Sequence, residues 1–284
     1  MRRINGDTFL LGAVRHVIIR FMLALVFGLF GLVIGSFLNV VILRHGSRSI
    51  GGRSACPSCH APLAWFDMVP VLSWIALRAR CRRCNKRISI QYPLVEFATA
   101  ALFALIGVLQ LPAVATLFAL AIVALLIAIF VYDLRHKLIP DVWVYPFCAF
   151  SFLFSFLLLG DSSIWTLLLS GPVAALPLFA LWAMSRGAWM GFGDVKLALG
   201  MGWLLGFPFG LVAALFAFVI GAVVSVGILL PLPHILTLLR ITSLEGREAR
   251  FTMKSEVPFG PFLIASTMLV WFALLFGLPI PLFS

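Results

Sequence analysis

Charged side chains are scarce in this sequence. Only 11% of its 284 residues are charged and ten are acidic, whereas 63% are hydrophobic and the mean hydropathy is +1.13. An ordinary globular domain carries about 25% charged and roughly 45–50% apolar residues. The composition therefore excludes an ordinary globular protein and indicates an all-α polytopic membrane protein. The length leaves room for about eight transmembrane helices of ~20 residues each.

The sequence also lacks a glycine-rich nucleotide-binding fingerprint after a recognisable strand. Its net charge of +11 would suit a nucleic acid partner, but the basic residues cluster in the polar segments between apolar runs. Positive-inside topology explains this distribution. We therefore expect the lipid bilayer to be a partner and nucleic acid not to be one.

The basic residues also predict the orientation of the chain. If the first span runs inward, 17 Lys and Arg residues lie in the four segments that face the inside, which are 44–92, 133–141, 185–196 and 231–258. The outside then carries four arginines, all in the N-terminal tail: Arg2, Arg3, Arg15 and Arg20. The later loops outweigh this local exception. The tail has no signal-peptide cleavage pattern, so we expect the first span to be retained.

The apolar runs predict eight spans. These are Phe21–Leu43, Pro93–Leu109, Ala113–Tyr132, Val142–Leu159, Ile164–Met184, Val195–Gly206, Pro208–Leu230 and Phe259–Pro279. The segment after Asp194 is short for a full crossing. The expected organisation is an N-terminal tail (1–20), a first transmembrane helix (21–43), a cytoplasmic cysteine-rich loop domain (44–92) and a transmembrane domain (93–284).

Cysteine is rare, but four of the five cysteines form two CxxC pairs. Cys56 and Cys59 make the first pair, and Cys81 and Cys84 make the second, with 21 residues between the pairs. Four thiolates can close a tetrahedral Zn²⁺ shell, although the usual separation is ~15–20 residues. Disulfides are the alternative, and a reducing cytoplasmic loop disfavours them. A shell filled by four sulfurs leaves no position for water, so we predict a structural zinc site. Cys148, alone in a span, is expected to be a packing residue.

Two aspartates lie at the edges of apolar segments, Asp133 in Tyr-Asp-Leu-Arg and Asp194 in Gly-Phe-Gly-Asp. A carboxylate at a helix centre costs ~2.5–3.5 kcal/mol on insertion scales, so such residues mark functional sites. The predicted topology puts both on the same membrane face. Two adjacent carboxylates can divide the roles of general acid and general base, because one of them stays protonated. Gly191 and Gly193 fit a backbone that approaches substrate closely or adopts positive φ before a helix.

Other polar residues have simpler explanations. Asp141 rivals the first aspartate, but its position equally predicts capping or support of the fourth span. Lys196 is expected to extend its amine toward the lipid headgroups. His136 is interpreted as a loop residue. Glu96 lies just inside the second span, where an acid indicates a partner or a ligand, and stabilisation of the first helical turn is the alternative.

A series of short motifs is spread in order along nearly the whole chain. They are Gly35–Val41, the double CxxC loop, Pro70–Trp74, Ile88–Glu96, Asp133–Asp141, Gly191–Leu197 and Pro258–Phe262. In these motifs the chain closely resembles the bacterial type IV prepilin peptidases. These are bifunctional leader peptidase/N-methyltransferases of pilus and type II secretion systems, and they are aspartyl proteases of the GxGD type. The resemblance does not cover the N-terminal tail of about 20 residues.

The resemblance implies a function and a site. Asp133 and Asp194 match the catalytic pair, and the cysteine loop matches the part associated with methylation of the new N-terminal amine by S-adenosylmethionine. Type IV prepilins and type II secretion pseudopilins are the implied substrates, cleaved in the bacterial inner membrane by an active site that faces the cytoplasm. The residues that bind S-adenosylmethionine are not located, and Glu96 is the one candidate.

Three other functions remain open at this stage. An intramembrane aspartyl protease would use the same chemistry on a different substrate. A membrane carrier would use the buried acids as ion sites, but the sequence has no convincing internal repeat. A zinc-stabilised scaffold for pilus assembly would tolerate Asp→Asn changes at both aspartates.

Overall fold

The computed structural model describes residues 6–46, 52, 54–160, 163–229 and 258–279. Within these residues the regular elements are helices, and the only β-type pairs are two isolated bridges. The α-helices are α1 (Gly6–Arg44), α2 (Leu72–Ala76), α3 (Gln91–Leu109), α4 (Ala113–His136), α5 (Asp141–Leu157), α6 (Ile164–Ser185), α7 (Phe192–Leu205), α8 (Phe209–Val224) and α9 (Gly260–Leu275). A short 3₁₀ helix, Trp65–Met68, precedes α2, and a π-helical turn, Ser225–Leu229, follows α8.

The predicted number of spans is not confirmed. Five helices in the described part of the chain are long and apolar enough to cross a membrane. Three further apolar helices, α5, α7 and α9, have 17, 14 and 16 residues. At 1.5 Å per residue even the longest of them rises only ~26 Å, less than the ~30 Å of a hydrocarbon core. The chain is a multi-pass membrane protein whose described part is mostly helical, and eight full-length spans are not confirmed within it.

The helix boundaries agree with the predicted apolar runs within a few residues, except at the first one. Helix α1 begins at Gly6, so much of the predicted tail is helical, and Arg15 and Arg20 lie on it. Arg2 and Arg3 fall outside the described residues, as does Leu230 at the end of one predicted span. The predicted inside segment 231–258 also lies outside them, except for Pro258.

The chain divides into two compact units, residues 1–128 and 129–284, and the division lies within α4. In the first unit α1 packs antiparallel to α3 through a stripe of small residues. A Cβ at Gly31 would lie 2.7 Å from the Cα of Ala100, and one at Gly35 would lie 2.7 Å from the Cα of Glu96. Glycine allows this close approach, which is typical of helix pairs in membranes.

Helix α7 is the central helix of the second unit and packs against α5, α6, α8 and α9. Nine of its 14 residues are buried. The close packing again depends on glycine, because a Cβ at Gly202 would overlap the Ala174 side chain on α6. Burial on all sides fixes the position of α7, and therefore of the residues in its first turn.

Candidate active site and metal centre

Asp133 lies in the last turn of α4 and is 3% exposed, whereas the four residues after it are exposed. The helix ends because Lys137 adopts a left-handed conformation (φ 52°) and donates its N–H to the carbonyl of Asp133 at 2.8 Å. This is the usual way of closing a helix C-terminus. The aspartate is thus the last buried residue before the chain leaves the helix.

Asp194 lies in the first turn of α7 and is 7% exposed. The backbone N–H of Gly191 reaches its carboxyl, and Asp133 is near enough to act on it electrostatically. An acid at this place is favoured by the partial positive charge of a helix N-terminus. The two predicted aspartates lie 61 positions apart in the sequence, and the fold brings them together from two helices.

Two further residues complete the surroundings of the pair. Gly260 opens α9, and its N–H reaches the carboxyl of Asp133. A Cβ at this glycine would overlap the carboxyl. Ile139 is 8% exposed and lies against both Gly193 and Gly260. The motif Pro258–Phe262 therefore contains the start of the last described helix and places Gly260 beside Asp133.

The two glycines before Asp194 differ in their surroundings. Gly193 approaches Ile139 so closely that an added Cβ would lie 2.9 Å from the Ile139 Cβ. Gly191 is the N-cap of α7 with φ −73°, and an added Cβ there would meet nothing nearer than 3.9 Å. Neither glycine has a positive φ, so that alternative is wrong for both, and the close approach to substrate stays a prediction.

Asp141 and Lys196 form an ion pair beside this site. The Lys196 Nζ donates to Asp141 Oδ1 at 2.6 Å and lies over the rings of Tyr145 and Phe192, 5.1 and 5.4 Å from their centroids. Asp141 is the first residue of α5, and no side-chain capping bond forms there. The N-cap itself is Pro140, and the ion pair of Asp141 links α5 to α7, in agreement with the predicted support of this helix.

The four cysteines of the CxxC pairs form one cluster in the first unit. All four sulfurs lie within 4.8 Å of one another, and the Sγ atoms of Cys56 and Cys84 are 3.8 Å apart. A tetrahedral shell with Zn–S bonds of ~2.3 Å has its sulfurs ~3.8 Å apart. The described cysteines are free thiols. The donor set and spacing fit a structural Zn²⁺ ion held by Cys56, Cys59, Cys81 and Cys84.

The two CxxC turns have the same backbone conformation. The N–H of His60 donates to the carbonyl of Cys56 at 2.9 Å, and that of Asn85 donates to Cys81 at 3.0 Å. His60 and Asn85 are both left-handed, with φ of 55° and 58°. The residue after each pair thus closes a turn, which explains the place of His60 without a ligand role.

Backbone amides prepare the cluster for a cation. The N–H groups of Cys59 and Ser58 lower the pKa of Cys56 to about 6, and those of Cys84 and Arg83 lower the pKa of Cys81. For Cys84 the N–H of Lys86 acts in the same direction, but burial and the three neighbouring sulfurs outweigh it and raise the pKa to about 11. These amides favour the thiolate form at one cysteine of each pair, and a bound divalent cation would offset the repulsion between the sulfurs.

Glu96 is 6% exposed and has two partners in the first unit. The Val71 N–H donates to its Oε2 at 2.7 Å, and the Ser36 side chain also bonds to it. Nearby, the buried Asn39 donates to the carbonyls of Gly35 and Tyr92 at 3.3 and 3.2 Å. These contacts join α1, α3 and the cysteine loop.

Two family models match the chain. The Bacterial Peptidase A24 N-terminal domain matches residues 29–110, and the Type IV leader peptidase family matches residues 120–226. The prepilin leader peptidase/N-methyltransferase of Aeromonas hydrophila is 31% identical over 280 residues, which cover 88% of this chain and 89% of the relative. The chain belongs to the type IV leader peptidase family.

Other relatives agree with this membership. The prepilin leader peptidase/N-methyltransferase of Bacillus subtilis is 32% identical and covers 88% of this chain and 94% of its own. That of Klebsiella pneumoniae is 35% identical over 192 residues, which are 62% of this chain and 82% of the relative. No solved structure matches the chain significantly.

Two residues beside the aspartates were not singled out individually from the sequence. Ile139 and Gly260 lie in segments that were noted as motifs, but their residue types do not show that Gly260 contacts Asp133 or that Ile139 packs against Gly193 and Gly260. His136 is the last residue of α4 rather than part of a loop, and its ring lies 4.3 Å from that of Tyr132. Cys148 is buried and donates its thiol to the Lys196 carbonyl, in agreement with a packing role.

Proposed function

We propose that this chain cleaves the basic leader from type IV prepilins and type II secretion pseudopilins and then N-methylates the new terminal residue. The observation that carries the proposal is the meeting of Asp133 and Asp194 in a buried site formed by α4, α7 and the start of α9. Family membership supports the pair of activities. The Lys and Arg distribution supports a site on the cytoplasmic face of the bacterial inner membrane.

The two carboxyls would act together on a water molecule. The ionised one takes a proton from the water as its oxygen attacks the carbonyl carbon of the scissile peptide bond, and the protonated one donates a proton to the carbonyl oxygen. The tetrahedral intermediate then collapses, the C–N bond breaks, and the leaving amine receives a proton from the pair. The two titrate as a unit, so neither role is assigned to one aspartate.

The surroundings suit this chemistry. The Gly260 N–H holds the Asp133 carboxyl in one orientation, and Ile139 closes one side with an apolar surface. Low water content strengthens the electrostatic interactions of such a site. Because Gly260 has no Cβ, the Asp133 carboxyl occupies space that a larger residue at this position would fill.

The cysteine cluster supports a different role. Zn²⁺ held by Cys56, Cys59, Cys81 and Cys84 would stabilise the loop domain, with no open coordination position for substrate. S-adenosylmethionine would supply the methyl group for the second reaction. Glu96 remains a candidate for that part of the protein, although its carboxylate already accepts from Val71 and Ser36.

Mass spectrometry of a prepilin incubated with the detergent-purified protein tests this function. We expect loss of the leader and, with S-adenosylmethionine present, a gain of one methyl group on the mature product. The Asp133→Asn and Asp194→Asn variants should leave the leader attached. Failure of the folded wild-type protein to cleave any prepilin would overturn the proposal.

A further inference from the structure

Apolar side chains are exposed on a short stretch of the otherwise polar cysteine loop. The segment Trp65–Ala76, formed by the 3₁₀ helix and α2, exposes Trp65 (77%), Leu72 (66%) and Ile75 (59%) most strongly, with Phe66 and Met68 also exposed. None of the nine described residues of the 3₁₀ helix and α2 is buried. Clustered exposed apolar groups mark an interaction surface rather than a folding core.

The segment is held in place at two points, Asp67 and Val71, with these groups exposed. At its start, Asp67 forms an ion pair with Arg82 at 2.9 Å, and the Arg82 guanidinium lies 5.0 Å from the ring centroid of Phe66. These contacts tie the 3₁₀ helix to the second CxxC turn. Further along, the Val71 N–H donates to Glu96 on α3.

The bond to Glu96 sets the depth of the segment relative to the bilayer. Helix α3 has 19 residues and rises ~28 Å, so it only just spans a hydrocarbon core of ~30 Å and Gln91 lies at the boundary. Glu96 is five residues further on, ~7 Å along the helix axis. The backbone at Val71 therefore lies at or below the plane where the lipid headgroups meet the acyl chains.

The backbone at Val71 is strained, and a hydrogen bond to the Glu96 carboxylate stabilises it. Val71 has φ 59° and ψ −50°, and the Leu72 N–H donates back to the carbonyl of Pro70. This is the rare γ-turn, and a β-branched residue adopts positive φ at a cost. The buried carboxylate of Glu96 holds the turn, which explains an acid in the second turn of a transmembrane helix.

The charge around the segment indicates which of two partners it contacts, anionic lipid or a basic leader peptide. Six exposed basic residues follow it within residues 78–87, and Asp67 is the one acid of the loop domain. They are Arg78, Arg80, Arg82, Arg83, Lys86 and Arg87. This excess attracts anionic headgroups and repels a basic leader peptide. An aromatic residue with a polar ring edge, next to basic residues, is typical of the membrane interface.

We propose that Trp65–Ala76 is an interfacial anchor that lays the cysteine loop domain on an anionic bilayer surface, with Glu96 as the residue that positions it. Trp65, Leu72 and Ile75 enter the boundary between headgroups and acyl chains, and the basic residues after them contact lipid phosphates. The proposal requires only that α3 spans the membrane, so it is independent of which substrate the protein cleaves.

Tryptophan fluorescence in nanodiscs tests the anchor with the full-length protein. Nanodiscs are prepared with phosphatidylglycerol whose acyl chains carry bromine near the headgroup, and the emission of Trp65→Phe is subtracted from that of the wild type. We expect the Trp65 contribution to be blue-shifted and quenched by the bromolipid. The quenching should be stronger with phosphatidylglycerol than with phosphatidylcholine, and equal quenching would overturn the assignment of anionic lipid.

Two variants separate anchoring from folding. Leu72→Ser combined with Ile75→Ser should reduce Trp65 quenching while the zinc content stays at the wild-type level. Val114→Ser, which removes an exposed apolar side chain at the opposite end of the spans, should leave the quenching unchanged. A red-shifted, unquenched Trp65 signal would overturn the proposal. If the Trp65 emission is blue-shifted only when a prepilin is added, the segment is a substrate-docking surface and the proposal is wrong.

Discussion

The aspartate site and the cysteine cluster are built in opposite ways. The aspartates come from helices α4 and α7, are 3% and 7% exposed, and meet only because α7 is enclosed by its neighbours. The cysteines come from two short turns in a loop, and only Cys56 and Cys81 are buried. Packing fixes the first site before any ligand binds, whereas the second site has little core and would be stabilised by the zinc ion that we propose for it. A reactive centre needs positions held within a fraction of an ångström, and a structural cluster needs only the correct donors.

Among the changes that test this difference between the two sites, replacement of either aspartate should have the largest effect. Asp133→Asn or Asp194→Asn should lower the cleavage rate by about 10²–10⁴-fold, because a general acid or base is lost. Cleavage is measured by mass spectrometry of a prepilin. The zinc content and the methylation of a pilin that already lacks its leader should be unchanged. If either variant retains full turnover, that residue is not part of the catalytic pair.

Loss of a cysteine should impair the cysteine cluster more than the aspartate site. Cys56→Ser or Cys81→Ser should release zinc and loosen the loop domain, since metal binding contributes ~10–16 kcal/mol in zinc-finger peptides. Methylation should fall more than cleavage.

Metal analysis and hydrogen exchange of residues 54–90 measure the loss of the cluster. Cys148→Ser is the matched control, because this cysteine packs against Gly200 in the second unit and should not change the zinc content. Far less than one zinc per wild-type chain would remove the metal site.

The glycines before Asp194 test how tightly the aspartate site is packed. Gly193→Ala pushes a methyl group against Ile139 and should lower cleavage by up to ~10²-fold, since displacement of about 1 Å has such an effect. Gly191→Ala has space in the same motif and should cleave at a similar rate to the wild type. Rates for the two variants are compared under the same conditions. A large loss at Gly191 instead would indicate that the substrate backbone contacts this residue.

The ion pair between Asp141 and Lys196 should have the smallest effect. Asp141 is 56% exposed in its side chain, and pairs of this kind contribute about 0.2–1 kcal/mol. A double-mutant cycle with Asp141→Asn and Lys196→Met, followed by thermal unfolding, gives the coupling. A drop in cleavage comparable to that of the aspartate variants would place the pair in the catalytic machinery.

The sequence predicted the helices, the aspartate pair and the cysteine cluster, because each has a signal in the local sequence. Apolar runs placed the helices after the cysteine loop within a few residues, and the CxxC spacing identified the cluster. The prediction of eight full spans is not confirmed: α7 is as short as its apolar run predicted, and α5 and α9 are also shorter than a full span. Ile139 and Gly260 were not singled out individually, because their role arises from contacts between distant segments. The strained turn at Val71 was not predicted either, because a β-branched residue does not favour positive φ.

The matching turns of the cysteine cluster have a consequence for metal exchange. Each turn also closes through a second backbone hydrogen bond, from Cys56 to Ala61 and from Cys81 to Lys86, so its two sulfurs form a bidentate chelator without help from the other turn. Capture of zinc by one turn makes completion by the second intramolecular, at a high effective concentration. Release requires both halves to open together or in quick succession. A chelator in solution therefore competes with reclosure at every step, and zinc exchange should be slow even though the cluster lies at the protein surface.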